Sequence, residues 1–346
     1  MYLKDLVDIQ MGQSPDSKFY NYDEIGLPFY QGKADFGRIN PTPKIWCSKP
    51  KKEAKPNDIL ISVRAPVGDL NINNEQSCIG RGLAAITCRS DVDMMYLYYY
   101  LKYLKPQLKH ISTGSTFESI NRTQLENLII DYKPYSEQIK ISNILQVVER
   151  EIEVKENLLR LYDLLIKSRF VEMFGDPNAS RTKYKLVPIH TVTDCMVPGR
   201  DKPKSFTGEI PWITINDLNI NGYTNKSKLG LGLTIDEVKE VNRKCVPQGS
   251  VLMSCVGNLG LCSIASVDVV INQQLHSYQC NEFINNLYLM YYLSFKNTYM
   301  NKIASSTTVL YMNKNACNNI PVLLPPIELQ ISFAKYLNRI NKLKFA

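Results

Sequence analysis

The 346-residue chain is poor in the side chains that most catalytic and metal sites use. It has three histidines and nine cysteines, and no two cysteines stand in a C-x-x-C pair, so neither a zinc site nor a disulfide framework is indicated. It also lacks a G-x-x-x-x-G-K-[ST] phosphate loop, a G-x-G-x-x-G turn after a strand and an H-E-x-x-H helix. The Asp/Asn-Pro-Pro-aromatic tetrad that holds the target nitrogen in amino-methyltransferases is missing as well. These absences favour a binding protein over an enzyme.

Long apolar runs are missing too. Stretches such as residues 320–324 are far too short to cross a bilayer, and residues 1–6 show no signal-peptide core, so we expect a cytoplasmic protein without membrane contact. With 44% hydrophobic and 21% charged residues the composition is that of an ordinary globular protein, and the length predicts two domains. The net charge of +8 permits a polyanionic partner but does not require one.

The most informative feature that is present is a long internal repeat. The segments YLYYYL (residues 96–101) and YLMYYL (residues 288–293) match at five of six positions and lie 192 residues apart. The same offset pairs Gly68 with Gly260 and Gln138 with Gln330, in a register that holds over about 85 residues. A period this long predicts a duplicated domain, because solenoid repeats run about 20–50 residues. A duplicated binding unit suggests a ligand that itself has two parts.

Each copy mixes strand and helix signals. Short apolar runs at residues 59–63 and 251–254 follow turn signals and predict strands, and the tyrosine-rich segments fit amphipathic helices. Upstream, an apolar-Pro-aromatic-apolar motif recurs at an offset of 183, so the copies differ by about nine residues there. We therefore predict an α/β (α+β) fold with two repeated globular domains.

A different kind of sequence lies between the copies. Residues 136–174 contain neither glycine nor proline, and apolar residues recur at helical spacing, which predicts one helix about 58 Å long. Its repeat equivalent, residues 328–344, is the expected first packing partner, but that copy is about 20 residues shorter. The segments predicted are thus 1–135, 136–175, 176–326 and 327–346. We expect other subunits to cover the remaining apolar face, which includes Ile152, Leu158, Leu159, Leu165 and Ile166.

Candidate DNA contacts are basic and amide side chains in the loops around each strand core. Lysine and arginine clusters suit phosphate contacts, and arginine or glutamine can reach base edges in the major groove. The candidates are Gln13, Gln31, Lys33, Arg38, Arg64 and Arg81 in the first copy, and Arg200, Lys202, Lys204, Lys226 and Lys228 in the second. Arg243 and Lys244 belong to the same basic set. A solvated lysine-rich surface explains such clusters about as well.

The order of several motifs resembles that of the specificity (S) subunit of type I restriction-modification enzymes. They are residues 3–15 with 26–32, residues 59–68, residues 137–141 entering the long helix and residues 173–177 leaving it. The resemblance covers essentially the whole chain. It implies two target recognition domains that each read one half of a split DNA sequence, and two long helices that form an antiparallel coiled coil and set the spacing.

The resemblance also implies partners and cofactors. Two methyltransferase (M) subunits would bring S-adenosylmethionine and methylate adenine, and restriction (R) subunits would bring ATP and Mg, whereas the S chain itself holds no cofactor and does no catalysis. Two alternatives stay open. One is a stand-alone nuclease or methyltransferase with an unrecognised active site, and the other is a scaffold that binds M subunits but reads no site. The chain departs from the family pattern in its short second helix.

Overall fold

The computed structural model describes residues 1–112, 118–179, 181–199, 201–306 and 309–344. The chain divides into two compact units, Met1–Lys155 (unit 1) and Glu156–Ala346 (unit 2). The boundary lies inside the long helix, so this helix contributes its first part to one unit and its second part to the other. The four-segment division predicted from the sequence, in which the helix is a segment of its own, stays a prediction.

Unit 1 combines short strands with a few helices. Its strands are β1 (Val7–Met11), β2 (Tyr20–Asn21), β3 (Leu27–Tyr30), β4 (Trp46–Cys47), β5 (Glu53–Ala54), β6 (Ile59–Ser62), β7 (Leu70–Ile72), β8 (Ser77–Ile79) and β9 (Leu83–Cys88). Its helices are α1 (Met94–Tyr103), α2 (Lys105–Ile111), α3 (Arg122–Glu126) and the first part of α4 (Tyr135–Phe174). One sheet has the order β1-β9-β6-β7 and is antiparallel throughout. The other has the order β2-β4-β3-β8-β5, with β3 parallel to β8.

Unit 2 repeats this plan with additions. Its strands are β10 (Leu186–Pro188), β11 (Thr193–Met196), β12 (Ile210–Ile213), β13 (Tyr223–Thr224), β14 (Gly232–Leu233), β15 (Val251–Ser254), β16 (Cys262–Ala265), β17 (Val270–Ile271), β18 (Leu275–Cys280), β19 (Ser305–Ser306), β20 (Leu310–Tyr311) and β21 (Pro321–Leu323). Its helices are α5 (Ile235–Glu240), α6 (Asn286–Phe295), α7 (Asn297–Ile303), α8 (Lys314–Asn318), α9 (Ile327–Lys344) and the second part of α4. The sheets have the orders β11-β18-β15-β16-β13 and β14-β12-β17, with the pairs β10-β21 and β19-β20.

The 192-residue offset found in the sequence also relates equivalent residues in the folds of the two units. In unit 1 Ile59 of β6 pairs with Ile86 of β9, and in unit 2 Val251 of β15 pairs with Tyr278 of β18, each residue shifted by 192. The predicted duplication and the mixed fold class are therefore confirmed. The additional helix α5 lies in the region where the offset changes from 183 to 192.

The central strand of each unit is apolar at successive positions because both of its faces are buried. Side chains alternate across a strand, so Ile59 and Ile61 join the cluster around Leu97, whereas Leu60 joins the cluster around Tyr30. In unit 2 Val251 and Met253 likewise join one cluster and Leu252 another. Such a strand has a core on each side, which explains an apolar run without alternation.

A buried glutamine fastens each long helix to its unit. The Gln330 Oε1 atom accepts a hydrogen bond from the Asn285 backbone N–H at 2.8 Å, and its Nε2 atom donates to the carbonyl oxygens of Phe283 (3.1 Å) and Pro325 (2.8 Å). Gln138 in unit 1 makes the same three bonds with equivalent residues. Because Asn285 caps α6, this contact fixes the start of α9 against the start of α6.

The second part of α4 pairs with α9 within unit 2. The rings of Phe170 and Phe333 lie 5.3 Å apart, and further along the pair the Lys344 ammonium group reaches Asp163 at 2.5 Å. Residue numbers rise along α9 as they fall along α4, so the two helices run antiparallel. Helix α4 ends at Phe174, and the following Gly175 has a φ of 88°, the left-handed conformation typical of glycine after a helix.

Candidate nucleic-acid interface

A polar cleft in unit 1 brings together four of the candidate DNA contacts. It has a volume of about 290 Å³ and forms where the loop after β3, the loop after β6 and the turn before β9 meet near the end of β1. We call it the unit 1 cleft, and its lining residues are Ser14, Gln31, Gly32, Lys33, Arg64, Ala65, Arg81 and Gly82. Gln13 and Arg38, the other two candidates of the first copy, are exposed but do not line it.

Glycines allow the cleft walls to approach one another. A Cβ atom on Gly82 would lie 2.2 Å from the Gln31 carbonyl oxygen, and one on Gly80 would lie 3.2 Å from the Gln31 Cα atom. Arg81 stands between these two glycines, and its backbone N–H donates to the Ser14 Oγ atom at 3.3 Å. The turn 80–82 therefore presents one long cationic side chain from a backbone that packs directly on the opposite wall.

The two arginines of the cleft have no anionic partner within the part of the chain that the structure describes. Arg64 and Arg81 are both exposed, and neither guanidinium group donates a hydrogen bond or joins an ion pair among those residues. A guanidinium group has five N–H donors in a planar fork, which suits a phosphate or the edge of a base. The cleft therefore presents the hydrogen-bond donors and positive charge that an anion or a base acceptor would need.

Lys33 and Arg38 also take part in the structure of unit 1. The Lys33 ammonium group lies 3.1 Å from the Asp69 Oδ2 atom, and the Oδ1 atom of the same carboxylate accepts a hydrogen bond from Lys105 at 2.5 Å. Burial opposes the charge of Asp69, but its contacts with Lys105 and Lys33 outweigh burial and lower the pKa of that carboxyl group. Arg38 forms an ion pair with Glu153 of α4 at 3.3 Å. Ion pairs thus hold both cations in place, Lys33 at the cleft and Arg38 against α4.

The equivalent positions of unit 2 carry different side chains. In unit 1 the Val63 N–H donates to the Gly82 carbonyl at 2.9 Å, and in unit 2 the Cys255 N–H donates to the Gln274 carbonyl at 2.8 Å. This places Gln273 where unit 1 has an arginine. Asn272 and Gln274 flank it, and the Asn272 amide group donates to the Gln274 Oε1 atom at 2.9 Å. Our sequence reasoning missed these amides, although the offset of 192 applied to Arg81 leads directly to Gln273.

The predicted contacts of the second copy are scattered over the surface of unit 2. Lys202 and Lys226 are exposed, Lys204 pairs with Glu240 at 3.3 Å, and the Lys228 ammonium group donates to the Asn216 carbonyl. Arg200 lies outside the described residues. Among the described residues, Lys204 and Lys228 contact different partners, whereas four of the six first-copy candidates line the unit 1 cleft.

Arg243 does not belong to the basic surface and has a structural role. Its side chain is buried, and its guanidinium group lies over the Trp212 ring with its carbon atom 4.9 Å from the centroid. The same group donates to the carbonyl oxygens of Asp201 and Ile271. Burial lowers the pKa of Arg243, and these contacts compensate the buried cation. Lys244, its neighbour, is exposed.

The apolar face of α4 is exposed at most of the positions predicted to bind a partner. Ile152, Leu158, Leu159 and Leu165 are 52%, 36%, 44% and 46% exposed. Ile166 is the exception, because it is only 1% exposed and joins the core of unit 2. The helical spacing was right, but the expectation that Ile166 faces a partner needs correction. A residue in that core is not accessible to a second subunit.

The described ranges hold neither a candidate metal site nor a membrane-spanning helix. They contain no group of three or more His, Cys, Asp or Glu side chains that could hold a metal ion. None of the helices in those ranges has the length and apolar composition needed to cross a membrane.

The sequence pattern of a known family matches both copies. The family described as "Type I restriction modification DNA specificity domain" matches residues 1–160 and 193–346. The chain therefore belongs to this family of DNA specificity domains. The match includes all of the unit 1 cleft and its equivalent positions in unit 2.

Individual relatives agree with the family match. A protein of Methanocaldococcus jannaschii, named as the type I restriction enzyme MjaX specificity subunit, is 46% identical over 148 residues, or 42% of this chain and 35% of that protein. The MjaIX specificity subunit of the same organism is 27% identical over 185 residues, or 50% of this chain and 43% of the relative. The chain thus spans less than half the length of both relatives.

A solved structure has the same fold. The S subunit of the type I restriction-modification system from M. genitalium superposes with a TM-score of 0.60 over 99% of this chain and 91% of that one, at 14% identity. The likeness confirms the arrangement of two repeated mixed domains with long helices. None of these comparisons supports the alternative of a stand-alone nuclease or methyltransferase.

Proposed function

We propose that this chain is the DNA-recognition subunit of a type I restriction-modification enzyme, in which each unit reads one half of a split DNA target. The observation that carries the proposal is the family match to both copies, together with the unit 1 cleft and its matching positions in unit 2. Exposed cations near the cleft would contact phosphates, which position a protein on DNA, while side chains in the cleft would contact bases. The chain itself supplies no catalytic group to this function.

The experiment is to map methylated bases in cells that carry this chain together with its methyltransferase subunits. The expected result is methylation within a motif of two short specific segments separated by unspecified bases, and the loss of that methylation when this chain is deleted. A continuous motif, or methylation that persists after deletion, would contradict the proposal. A chain that assembles with its partners but leaves DNA unmodified would favour the scaffold alternative.

We also propose that the exposed apolar face of α4 docks methyltransferase subunits, two per complex. Seven large apolar side chains that are each more than a third exposed lie within 14 residues of one helix, between Ile152 and Leu165. Exposed apolar surface of this extent marks a binding surface. The methyltransferase subunits would bring S-adenosylmethionine for adenine methylation, and restriction subunits would bring ATP and Mg. This assembly would work in the cytoplasm, where the DNA lies.

Substitution of Ile152 and Leu159 by aspartate tests the docking face. Both side chains are about half exposed, so we expect the double variant to fold but to lose the methyltransferase subunits in co-purification, because two carboxylates would be desolvated in the interface. The matched control replaces Asn143 and Asn157 by aspartate, which adds the same charge to exposed positions of the same helix. Equal retention of partners by both double variants would refute the docking face.

A further inference from the structure

The two units present different chemistry at equivalent positions of one scaffold. The second residue after β6 is Arg64, and the second residue after β15 is Val256. Both positions form the same isolated bridge, Arg64 with Ser119 and Val256 with Tyr311, where each pair is related by 192 residues. The second residue before β9 is Arg81, and its equivalent before β18 is Gln273.

Several hydrogen bonds of the surrounding backbone recur in the two units, so the side chains at these positions can be compared directly. The Gly80 N–H donates to the Tyr30 carbonyl at 2.8 Å, and the Asn272 N–H donates to the Ile213 carbonyl at 3.0 Å. The hydroxyl groups of Ser62 and Ser254 both donate to the carbonyl oxygen four residues later. Unit 1 therefore holds two guanidinium groups where unit 2 holds an apolar side chain and an amide.

These side chains match different bases. Guanine offers two acceptors, N7 and O6, to the major groove, and the parallel N–H groups of arginine complement them. Adenine offers an acceptor and the N6 amino donor, which the amide of glutamine or asparagine complements, and the thymine methyl group suits an apolar contact. A guanidinium group that faces adenine would instead set donor against donor.

We propose that the unit 1 cleft reads guanine through Arg64 and Arg81, whereas the equivalent positions of unit 2, Val256 and Gln273, read an A·T pair. The two halves of the target then differ in base composition. The proposal rests on the proposed function, because it names what the recognition units read. Two features support it: Arg64 and Arg81 are exposed and make no ion pair among the described residues, and both line one open cleft of about 290 Å³.

The test is selection of bound DNA from a randomised double-stranded library by the full chain in complex with its methyltransferase subunits, at one fixed salt concentration. We expect the wild-type complex to enrich two half-sites, one of which contains guanine. Arg64→Gln and Arg81→Gln should each reduce the preference for guanine at one position of that half-site by about five- to 150-fold, and leave the other half-site unchanged.

A matched control and a reciprocal exchange complete the test. Arg122→Gln makes the same chemical change on α3 of unit 1, where the arginine is exposed and pairs with Glu126, and it should leave the motif unchanged. Gln273→Arg should shift one position of the unit 2 half-site toward guanine. This exchange tests base reading by gain of preference, which a merely destabilised variant would not show.

The outcomes separate the two proposals. A wild-type complex that enriches no motif would contradict the proposed function itself. A clear wild-type motif that Arg64→Gln and Arg81→Gln leave intact would overturn the present inference alone. So would a uniform loss of affinity across all sequences, because that result assigns the arginines to phosphate contacts.

Discussion

Replacement of Gln330 by alanine should detach the start of α9 from the core of unit 2. The side chain is 0% exposed, and its amide makes three hydrogen bonds to backbone groups of two separate segments, Phe283–Asn285 and Pro325. Alanine at this position leaves the Asn285 N–H donor and the carbonyl oxygens of Phe283 and Pro325 without these hydrogen bonds. The helix keeps its own backbone bonds, so the loss concerns its attachment to the unit and not its formation.

The magnitude follows from the number of bonds. A buried hydrogen bond contributes about 1 kcal/mol net, so three bonds correspond to about 3 kcal/mol of unfolding free energy. For a unit of this size a change of 1 kcal/mol shifts the melting temperature by about 2–4 °C, which gives an expected decrease of about 6–12 °C for unit 2. Gln138→Ala should destabilise unit 1 by the same mechanism and a similar amount, because it removes the same three bonds.

Calorimetry of the full chain is the suitable assay, since it can resolve separate transitions for the two units. The control is Gln107→Ala on α2, where the glutamine is exposed and the substitution should change the unfolding free energy by less than about 0.5 kcal/mol. A decrease below about 1 kcal/mol in both buried variants, or an equal decrease in the control, would show that the glutamines do not fasten the helices.

Two further predictions concern single residues. Burial lowers the pKa of His276 to about 4, against the hydrogen bond to Asn318 that would raise it, so the folded protein holds a neutral ring while the unfolded chain takes up a proton below about 6.5. As the pH falls from 6.5 to 4, the free energy of unfolding should therefore decrease by up to about 3 kcal/mol. Urea unfolding of His276→Gln should lack this part of the pH dependence. A variant with the same pH profile as the wild-type chain would contradict the prediction. Gly82→Ala should destabilise unit 1 by about 1–3 kcal/mol and weaken DNA binding, because the added Cβ atom would lie 2.2 Å from the Gln31 carbonyl oxygen. An unchanged melting temperature and unchanged DNA binding would refute the close packing of the cleft walls.

The duplication and the long helix could be predicted from the sequence because both follow from the spacing of residues along the chain. The offset of 192 residues reproduces strand registers such as Ile59 with Ile86 and Val251 with Tyr278, and the helix found at Tyr135–Phe174 begins one residue before the range predicted and ends at the same residue. Periodicity identifies which residues share a face, and it holds whatever that face contacts.

Residue spacing could not identify what covers a helix face or a side chain. The expectations that differ from the structure concern this point. Ile166 has the same helical spacing as Leu159, yet it is buried in the core of unit 2 while Leu159 stays 44% exposed. Arg243 stands beside Lys244 in a basic segment, but only the fold brings Trp212 beneath it. The convergence of Gln31, Arg64 and Arg81 on one cleft likewise depends on long-range strand pairing, which local sequence does not encode.

The location of the four proposed base-reading residues next to the core strands has a consequence for the evolution of such a protein. Arg64, Arg81, Val256 and Gln273 all follow or precede strands whose buried side chains carry the stability of each unit, and none of the four belongs to a strand. Arg64 and Arg81 are also exposed, so mutations at these two positions should cost little folding free energy, and a lineage could acquire a new target preference in unit 1 without first acquiring extra stability. The base preference can then change during evolution while the strand core that positions these side chains stays the same.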